Sequence, residues 1–331
     1  MSKTIMVTGG LGFIGLQLCR QLLQHDAAID LTIVDNLSST RLDYSELTER
    51  AHITIADMRS IDPDAKRFDD IYHLASPVGS LGILDRNGFI ATDIMELANK
   101  AAELARVSGA RLLYLSSSEV YGRDGQHAET TELIVPAKRG ARMEYSLGKL
   151  TAEHILFNLA IDERFAVRVV RPFNVAGEWQ SAILGFVLPK FFEAALSGNP
   201  LQVYGNGQQQ RSFCHVSDLV KGVIAVQNEA ADNAVYNIGN PNNVTTIAAL
   251  AESICTLCGS ASDIEYVDPH KIHGTRFIEA FDKIPDITQL LACSSWRPEL
   301  SLDETLDRVL MFYQHQKIST GQSAIPALAQ C

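Results

Sequence analysis

The chain has 331 residues, 46% of them hydrophobic and 20% charged, with a formal net charge of −11. That balance belongs to an ordinary globular protein, and the length allows two domains or one large α/β unit with an appended lobe. The acidic balance and the lack of any Lys/Arg cluster argue against a nucleic-acid or anionic-membrane partner, and no apolar run reaches the roughly 18 residues of a spanning helix. Met1–Thr4 run straight into a strand-like segment, which leaves no room for a signal peptide, so the cytoplasm is the expected compartment. The six cysteines are dispersed. Cys255-x-x-Cys258 has redox or half-zinc spacing, but it falls in the helical run 247–257 and no second pair exists. Packing is expected there, with no metal.

In chain order, Lys3–Thr8 reads as a short apolar strand. It ends at Gly9-Gly10-Leu11-Gly12-Phe13-Ile14-Gly15, and a helical pattern follows to about Gln24. Further strands are expected at Leu31–Val34, Ile53–Ala56, Asp70–Ala75, Arg111–Ser116 and Ala166–Arg171. Long helices are expected over Phe89–Ser108 and around Tyr145. Strands alternating with helices imply an α/β fold with a doubly wound parallel Rossmann sheet. From about Ala176 the alternation becomes irregular. Helices are expected near Ile183–Leu196, Val216–Asn228, Thr246–Leu257 and Leu302–Gln314, with short strands near Leu201–Val203, Val235–Ile238 and Ile264–Val267. The expected division is a dinucleotide-binding domain over 1–175 with returning segments at about 212–240. A smaller, irregular α/β substrate lobe takes 176–211 and 241–316, and 317–331 is expected to be a disordered tail.

The glycine run follows a strand and opens a helix. Glycines there permit a tight turn and close approach of backbone to a pyrophosphate, which the free N–H groups of the helix N-terminus then face. The spacing is G-x-x-G-x-x-G, not the commoner G-x-G-x-x-G. Asp35 ends the second strand 20 residues beyond Gly15. A carboxylate there can accept both ribose hydroxyls and would repel a 2′-phosphate, which favours NAD over NADP. Asp57 is either a partner for the adenine amino group or a strand-end cap. Leu74, Ala75 and Ser76 are small or apolar where a flat nicotinamide needs access to backbone.

Tyr145 and Lys149, four apart in a helical pattern, leave the same helical face. A phenol is a poor base at neutral pH, with an ordinary pKa near 10. An ammonium on the same face is expected to lower it, so that a phenolate can take a proton from a sugar or alcohol hydroxyl while a hydride leaves the same carbon. Clusters such as these fall just after strands, where parallel sheets bind their ligands.

The chain resembles the extended short-chain dehydrogenase/reductase family, in its nucleotide-sugar epimerase/dehydratase branch. The matching pieces are Thr8–Gly15, Asp35–Ser38, His73–Ser76, Ser116–Gly122, Tyr145 with Lys149, Arg171–Gly177, Val203–Phe213, His215–Asp218 and Tyr236–Pro241, so the likeness runs from about Lys3 to Tyr313. The resemblance implies tightly held NAD that takes a hydride from the sugar C4 and later returns it. Tyr145 is then the base, Lys149 binds the nicotinamide ribose and tunes Tyr145, and Ser117 hydrogen-bonds the C4 oxygen. Cofactor contacts fall to Gly9, Gly12, Phe13, Ile14, Gly15, Asp35, Asn36, Ser38, Asp57, Met58, Leu74, Ala75, Ser76, Tyr145, Lys149 and Pro172. A homodimer, through the helices at 89–108 and 143–159, is also implied.

A 4-keto sugar can be re-reduced from the other face, lose a neighbouring carboxylate, or eliminate a C6 hydroxyl. Ser118-Glu119 stands where 4,6-dehydratases carry an Asp-Glu pair, which puts dehydration third. Glu119 is the candidate that assists decarboxylation, or else a structural acceptor. Lys283 stands where decarboxylases of the branch carry a carboxylate- or diphosphate-clamping Arg, and lysine lacks the planar fork. Ala176 and Glu178 are further departures, and Glu178 adds negative charge where an anionic sugar is expected. The sequence therefore favours a 4-epimerase acting on a UDP-sugar, with a UDP-glucuronate-type decarboxylase as the alternative. A non-catalytic nucleotide-binding relative is disfavoured by the intact Ser117/Tyr145/Lys149 set. Asn174 and Arg211 are the candidates for the diphosphate, with Arg276 a second. Val203 and Tyr204, with Leu188 and Lys190, are candidates near the base.

Overall fold

The computed structural model describes residues 2–320 apart from 40, 41, 80, 87, 164, 275, 276 and 281. Five strands open the fold: Thr4–Thr8 (β1), Asp30–Asp35 (β2), His52–Ile55 (β3), Asp70–His73 (β4) and Arg111–Leu115 (β5). Gly125–His127 (β6) belongs to a second sheet, while Val167–Pro172 (β7) returns to the first. The first sheet has seven strands in the order Ala234–Ile238, β7, β5, β4, β1, β2, β3, with every neighbouring pair parallel. Its strands are nearly continuous apolar runs because helices cover both faces. β4 is buried at all four positions.

The helices that matter for the site are Phe13–His25 (α1), Ile90–Ser108 (α2), Ala141–Glu163 (α3), Val187–Ser197 (α4), Val216–Glu229 (α5) and Ile247–Cys258 (α6). In α2, Ile90, Ile94, Ala98, Ala101 and Ala105 are buried at helical spacing and form the face that meets the sheet and α3. Gly148 of α3 brings the two helices close: a Cβ there would lie 2.8 Å from Ala91 Cα. That contact fixes the part of α3 between Tyr145 and Lys149.

The seventh sheet strand, 234–238, lies in the segment expected to return to the main sheet. The remaining strands form a four-stranded sheet in the order 244–246, 210–212, 283–285, β6, and two-stranded pairs joining 201–204 to 264–267 and 175–176 to 214–215, so residues 125–127 of the expected dinucleotide-binding domain share a sheet with segments of the expected lobe. The lobe is the part of the chain around that sheet. Its core gathers Phe191, Phe192, Leu201, Phe213, Leu250 and Ile254. α4 begins four residues later than the pattern suggests, because Phe186 is an extended N-cap. The last helix runs over Leu302–Thr320, so residues 317–320 of the expected tail are helical. Its buried Leu306, Val309 and Tyr313 explain why it extends. Residues 321–331 lie outside the described residues. Among the described residues no helix is long and apolar enough to cross a membrane.

Candidate active site

Two adjoining cavities open at the carboxyl ends of the sheet strands. The first, of about 170 Å³, is lined by Gly9, Gly12, Phe13, Ile14, Gly15, Asp35, Asn36, Ser38, Asp57, Met58, Leu74, Ala75 and Ser76. A Cβ on Gly15 would stand 2.1 Å from the Gly9 carbonyl oxygen, so α1 can start against the turn only with glycine at that position. Gly12 caps α1 with extended backbone and no side-chain hydrogen bond, which leaves the first turn open to an anion. Asp35 accepts hydrogen bonds from the Leu11 N–H at 2.9 Å and the Leu37 N–H at 2.7 Å, and these pin its carboxylate beside the glycine turn. The residues fit a dinucleotide: a backbone cradle for pyrophosphate, an acid for a ribose diol, and Val34, Met58 and Leu97 as an apolar wall. Asp57 lines this cavity, but its carboxylate is taken by Arg59, at 2.6 Å and 3.0 Å, and caps the turn that follows β3. The capping alternative therefore describes its contacts. Gly15→Ala is expected to weaken NAD binding by about tenfold or more, read by calorimetry, because the cradle must open to admit the methyl group.

The second cavity, of about 530 Å³, is lined by Ser117, Glu119, Arg142, Tyr145, Pro172, Asn174, Lys190, Tyr204 and Arg211, among others. Ser117 caps a short turn after β5, where its hydroxyl accepts the Glu119 N–H at 3.2 Å. Burial pushes the Tyr145 phenol up to about 12; a hydrogen bond with Ser117 opposes that rise. Here the structure corrects an expectation. Tyr145 sits above its ordinary value and not below it, and Lys149 stands back from it. Its ammonium lies 5.9 Å from the Tyr145 ring and donates to the Leu115 carbonyl at 2.8 Å. The offsetting groups are Ser117 and, more weakly, Arg142. Lys149 itself is pulled down to about 7 by burial, with Glu153 opposing.

Arg142 escaped the sequence reading, although it lies three residues before Tyr145 and so shares its helical face. Its Nη1 donates to Glu119 Oε1 at 3.0 Å and its Nε to the Ile278 carbonyl at 2.8 Å. The same Glu119 oxygen takes the Lys283 ammonium at 2.5 Å. Burial alone would push the Glu119 carboxyl up, but Lys283 and Arg142 outweigh it and hold the group down at about 2. Glu119 Oε2 is buried without a hydrogen-bond partner among the described residues. Lys283, only 1% exposed, does not line the cavity, so the structure does not place it for the expected direct substrate contact; its ammonium meets Glu119 instead. Lys283→Met strands this carboxylate with one cation and should cost about 3–5 kcal/mol of stability by denaturant unfolding. Since the folded-state pKa of Glu119 is depressed, its contribution is present above the ordinary 4.5 and fades as pH falls toward about 2. Lys283→Met should shrink that acid-sensitive part.

The remaining candidates divide. Asn174 lines the cavity and its amide donates to the Ser212 carbonyl at 3.3 Å. Arg211 lines it too, but its guanidinium is engaged by Glu279 at 2.7 Å and Asp282 at 3.2 Å. Tyr204 and Lys190 reach the cavity, whereas Val203 and Leu188 are buried in the lobe core and do not. Arg276 lies outside the described residues. Ala176 is fully buried away from the cavity. Glu178 faces a separate cavity of about 260 Å³, where it pairs with His215 at 3.0 Å. Gln180, Gln202, Gln209 and Phe277 line the large cavity too, and of these Gln202 and Phe277 carry no local sequence signal.

A parallel sheet with a glycine-cradled dinucleotide site beside a Ser–Tyr pair and a buried Lys defines a short-chain dehydrogenase-type enzyme. The model of the NAD dependent epimerase/dehydratase family matches residues 5–239, and the chain belongs to that family, with NAD as its cofactor. Among curated relatives, the UDP-N-acetyl-alpha-D-glucosaminuronate decarboxylase of Bacillus cytotoxicus is 29% identical over 320 residues, covering 95% of this chain and 98% of that one. The UDP-glucuronic acid decarboxylase 1 of Xenopus tropicalis is 31% identical over 319 residues, covering 95% and 73%. Among solved structures, the UDP-N-acetylglucosamine 4-epimerase of Methanobrevibacter ruminantium M1, in complex with UDP-N-acetylmuramic acid, is 26% identical with a TM-score of 0.81, covering 95% and 99%. The chain is a nucleotide-sugar enzyme of the epimerase/decarboxylase kind.

Proposed function

We propose that the protein decarboxylates a nucleotide-linked uronic acid, UDP-glucuronate or a close relative, through a C4 ketone. The observation that carries this is the cluster around Glu119. Arg142 and Lys283 bring two positive charges against one carboxylate, so the wall beside Ser117 and Tyr145 carries a net positive charge. A neutral hexose has nothing to meet that charge, whereas a uronate places a carboxylate next to C4. Two reasons to disfavour an acid also fall away: Glu178 is committed to His215 in another cavity, and Lys283 works on Glu119 without needing a fork. Both curated relatives described above are decarboxylases of UDP-linked uronic acids, which supports the same order.

NAD supplies the hydride acceptor and donor, and its oxidised ring carries a positive charge. In the proposed cycle Tyr145 takes the proton of the C4 hydroxyl while Ser117 holds that oxygen. With C4 a ketone, the bond from C5 to the carboxyl carbon breaks and its electron pair passes into the C4–C5 enolate. CO₂ leaves. Ser117 and Tyr145 donate to the enolate oxygen, and Arg142 balances the charge. Water or a water-linked group returns a proton to C5. Glu119, ionised at neutral pH, is a poor proton donor, which keeps dehydration in third place.

Epimerisation at C4 remains the second reading, supported by the likeness to the solved 4-epimerase. Binding of UDP-glucuronate and UDP-glucose, measured by calorimetry with NAD present, separates them. The acid is expected to bind about tenfold tighter or more, and Arg142→Leu should remove the preference. Equal affinities would count against an acidic substrate.

A further inference from the structure

The large cavity reaches from Ser117 and Tyr145 on the sheet side to Gln202, Tyr204 and Phe277 on the lobe side. Tyr204 and Phe277 meet edge to face, with ring centroids 5.5 Å apart at 88°. The short helix Pro269–His273 stands beside them, outside the cavity lining. Its last residue, His273, stacks on Phe277 with centroids 5.4 Å apart, and its Nε2 lies 2.8 Å from the Tyr204 hydroxyl oxygen. The Tyr204 main chain is held as well, because the Gln209 amide donates to its carbonyl at 2.9 Å.

The titratable and charged groups around His273 are Tyr204 on strand 201–204, Lys190 on α4, and His270 on its own helix, which also touches Phe277. Glu279 faces Tyr204. Burial and the Lys190 cation hold His273 below its ordinary value, so the ring is neutral at neutral pH. Burial, and then Glu279, push the Tyr204 phenol up, so it keeps its proton. A neutral imidazole offers one bare nitrogen, far more basic than a phenol oxygen, so the Tyr204 O–H donates to His273 Nε2. With its proton engaged there, the Tyr204 oxygen can only accept a hydrogen bond from a group in the cavity. Protonation of His273 reverses the bond: Nε2–H donates, and the phenol proton is free to turn toward the cavity.

We propose that His273 is a positioning residue for nucleotide choice: by taking the Tyr204 proton it makes that hydroxyl an acceptor, which selects a base offering a ring N–H, as uracil does, over one offering a bare ring nitrogen, as cytosine does. The proposal rests on the reading of this cavity as a UDP-sugar site. Its test uses nucleotides without a sugar, so a failure of base selection and a failure of decarboxylation are separate results.

The test is calorimetric binding of UDP and CDP to the NAD-saturated enzyme, read as the ratio of the two affinities. Their diphosphates titrate alike, so phosphate protonation cancels in the ratio. UDP is expected to bind about tenfold tighter at about pH 8. The preference should shrink severalfold toward about pH 5, as His273 gains its proton. His273→Phe keeps a ring against Phe277 but has no acceptor, and should bring the ratio to within about threefold of unity at both pH values. Tyr204→Phe, which leaves His273 in place, should flatten it in the same way. A merely structural role for His273 would weaken both nucleotides equally and leave the ratio unchanged. Equal affinities at about pH 8, a wild-type ratio that does not move with pH, or either variant with the wild-type ratio would each overturn the proposal.

Discussion

Tyr145→Phe is expected to lower turnover by ~10³-fold while leaving NAD affinity within a few-fold of wild type. The ring stays, and its packing against the α2–α3 core stays with it. What disappears is the oxygen proposed to take the C4 proton and return it, in the cavity wall beside Ser117. Burial keeps this phenol protonated through neutrality, so the rate should rise with pH while Lys149, near 7, retains its proton. Ser117→Ala removes the hydrogen bond that opposes the upward shift, and should move that rising limb to higher pH as well as slowing the reaction. A Tyr145→Phe protein with wild-type turnover would place the base elsewhere.

Glu119→Gln should separate the two halves of the proposed reaction. Tyr145 and Ser117 remain, so C4 oxidation of UDP-glucuronate continues and the absorbance of reduced nicotinamide grows. CO₂ release should fall ~10²-fold, because Arg142 and Lys283 are no longer held by an anion at the wall where the carboxylate departs. The same change leaves the buried Lys283 without its charge partner and should cost about 3–5 kcal/mol on unfolding. Both effects are readable in one preparation, by product analysis and by denaturant titration. Equal losses of oxidation and CO₂ release would show that Glu119 serves only the structure of the site.

The parts of the site that sequence reveals are those built from contiguous chain. The turn from Gly9 to Gly15 and the acid at Asp35 are set by a strand, a helix and the next strand in chain order, and the cofactor candidates from Gly9 to Ser76 do line one cavity. The Tyr145–Lys149 spacing likewise needs only a helix. The substrate side has no such local pattern. Its sheet is made of three-residue strands from four distant segments, too short to show a period. Glu119 and Lys283 meet across 164 positions. Tertiary contact also sets partners that the local sequence does not show. Lys149 lies on the expected face yet donates to a carbonyl, and Glu178 is near Asn174 in sequence but faces a different cavity. Arg142 was legible by spacing alone, one helical turn before Tyr145.

An acidic nucleotide sugar is proposed to lose its carboxylate here after oxidation at C4. The direct measurement is to incubate the enzyme and NAD with UDP-glucuronate labelled with ¹³C at C6, and to follow both the sugar product and the labelled gas. Labelled CO₂ and a UDP-linked product lighter by that one CO₂ unit are expected. A product of unchanged mass with inverted C4, or turnover of neutral UDP-hexoses with none of the uronate, would contradict it.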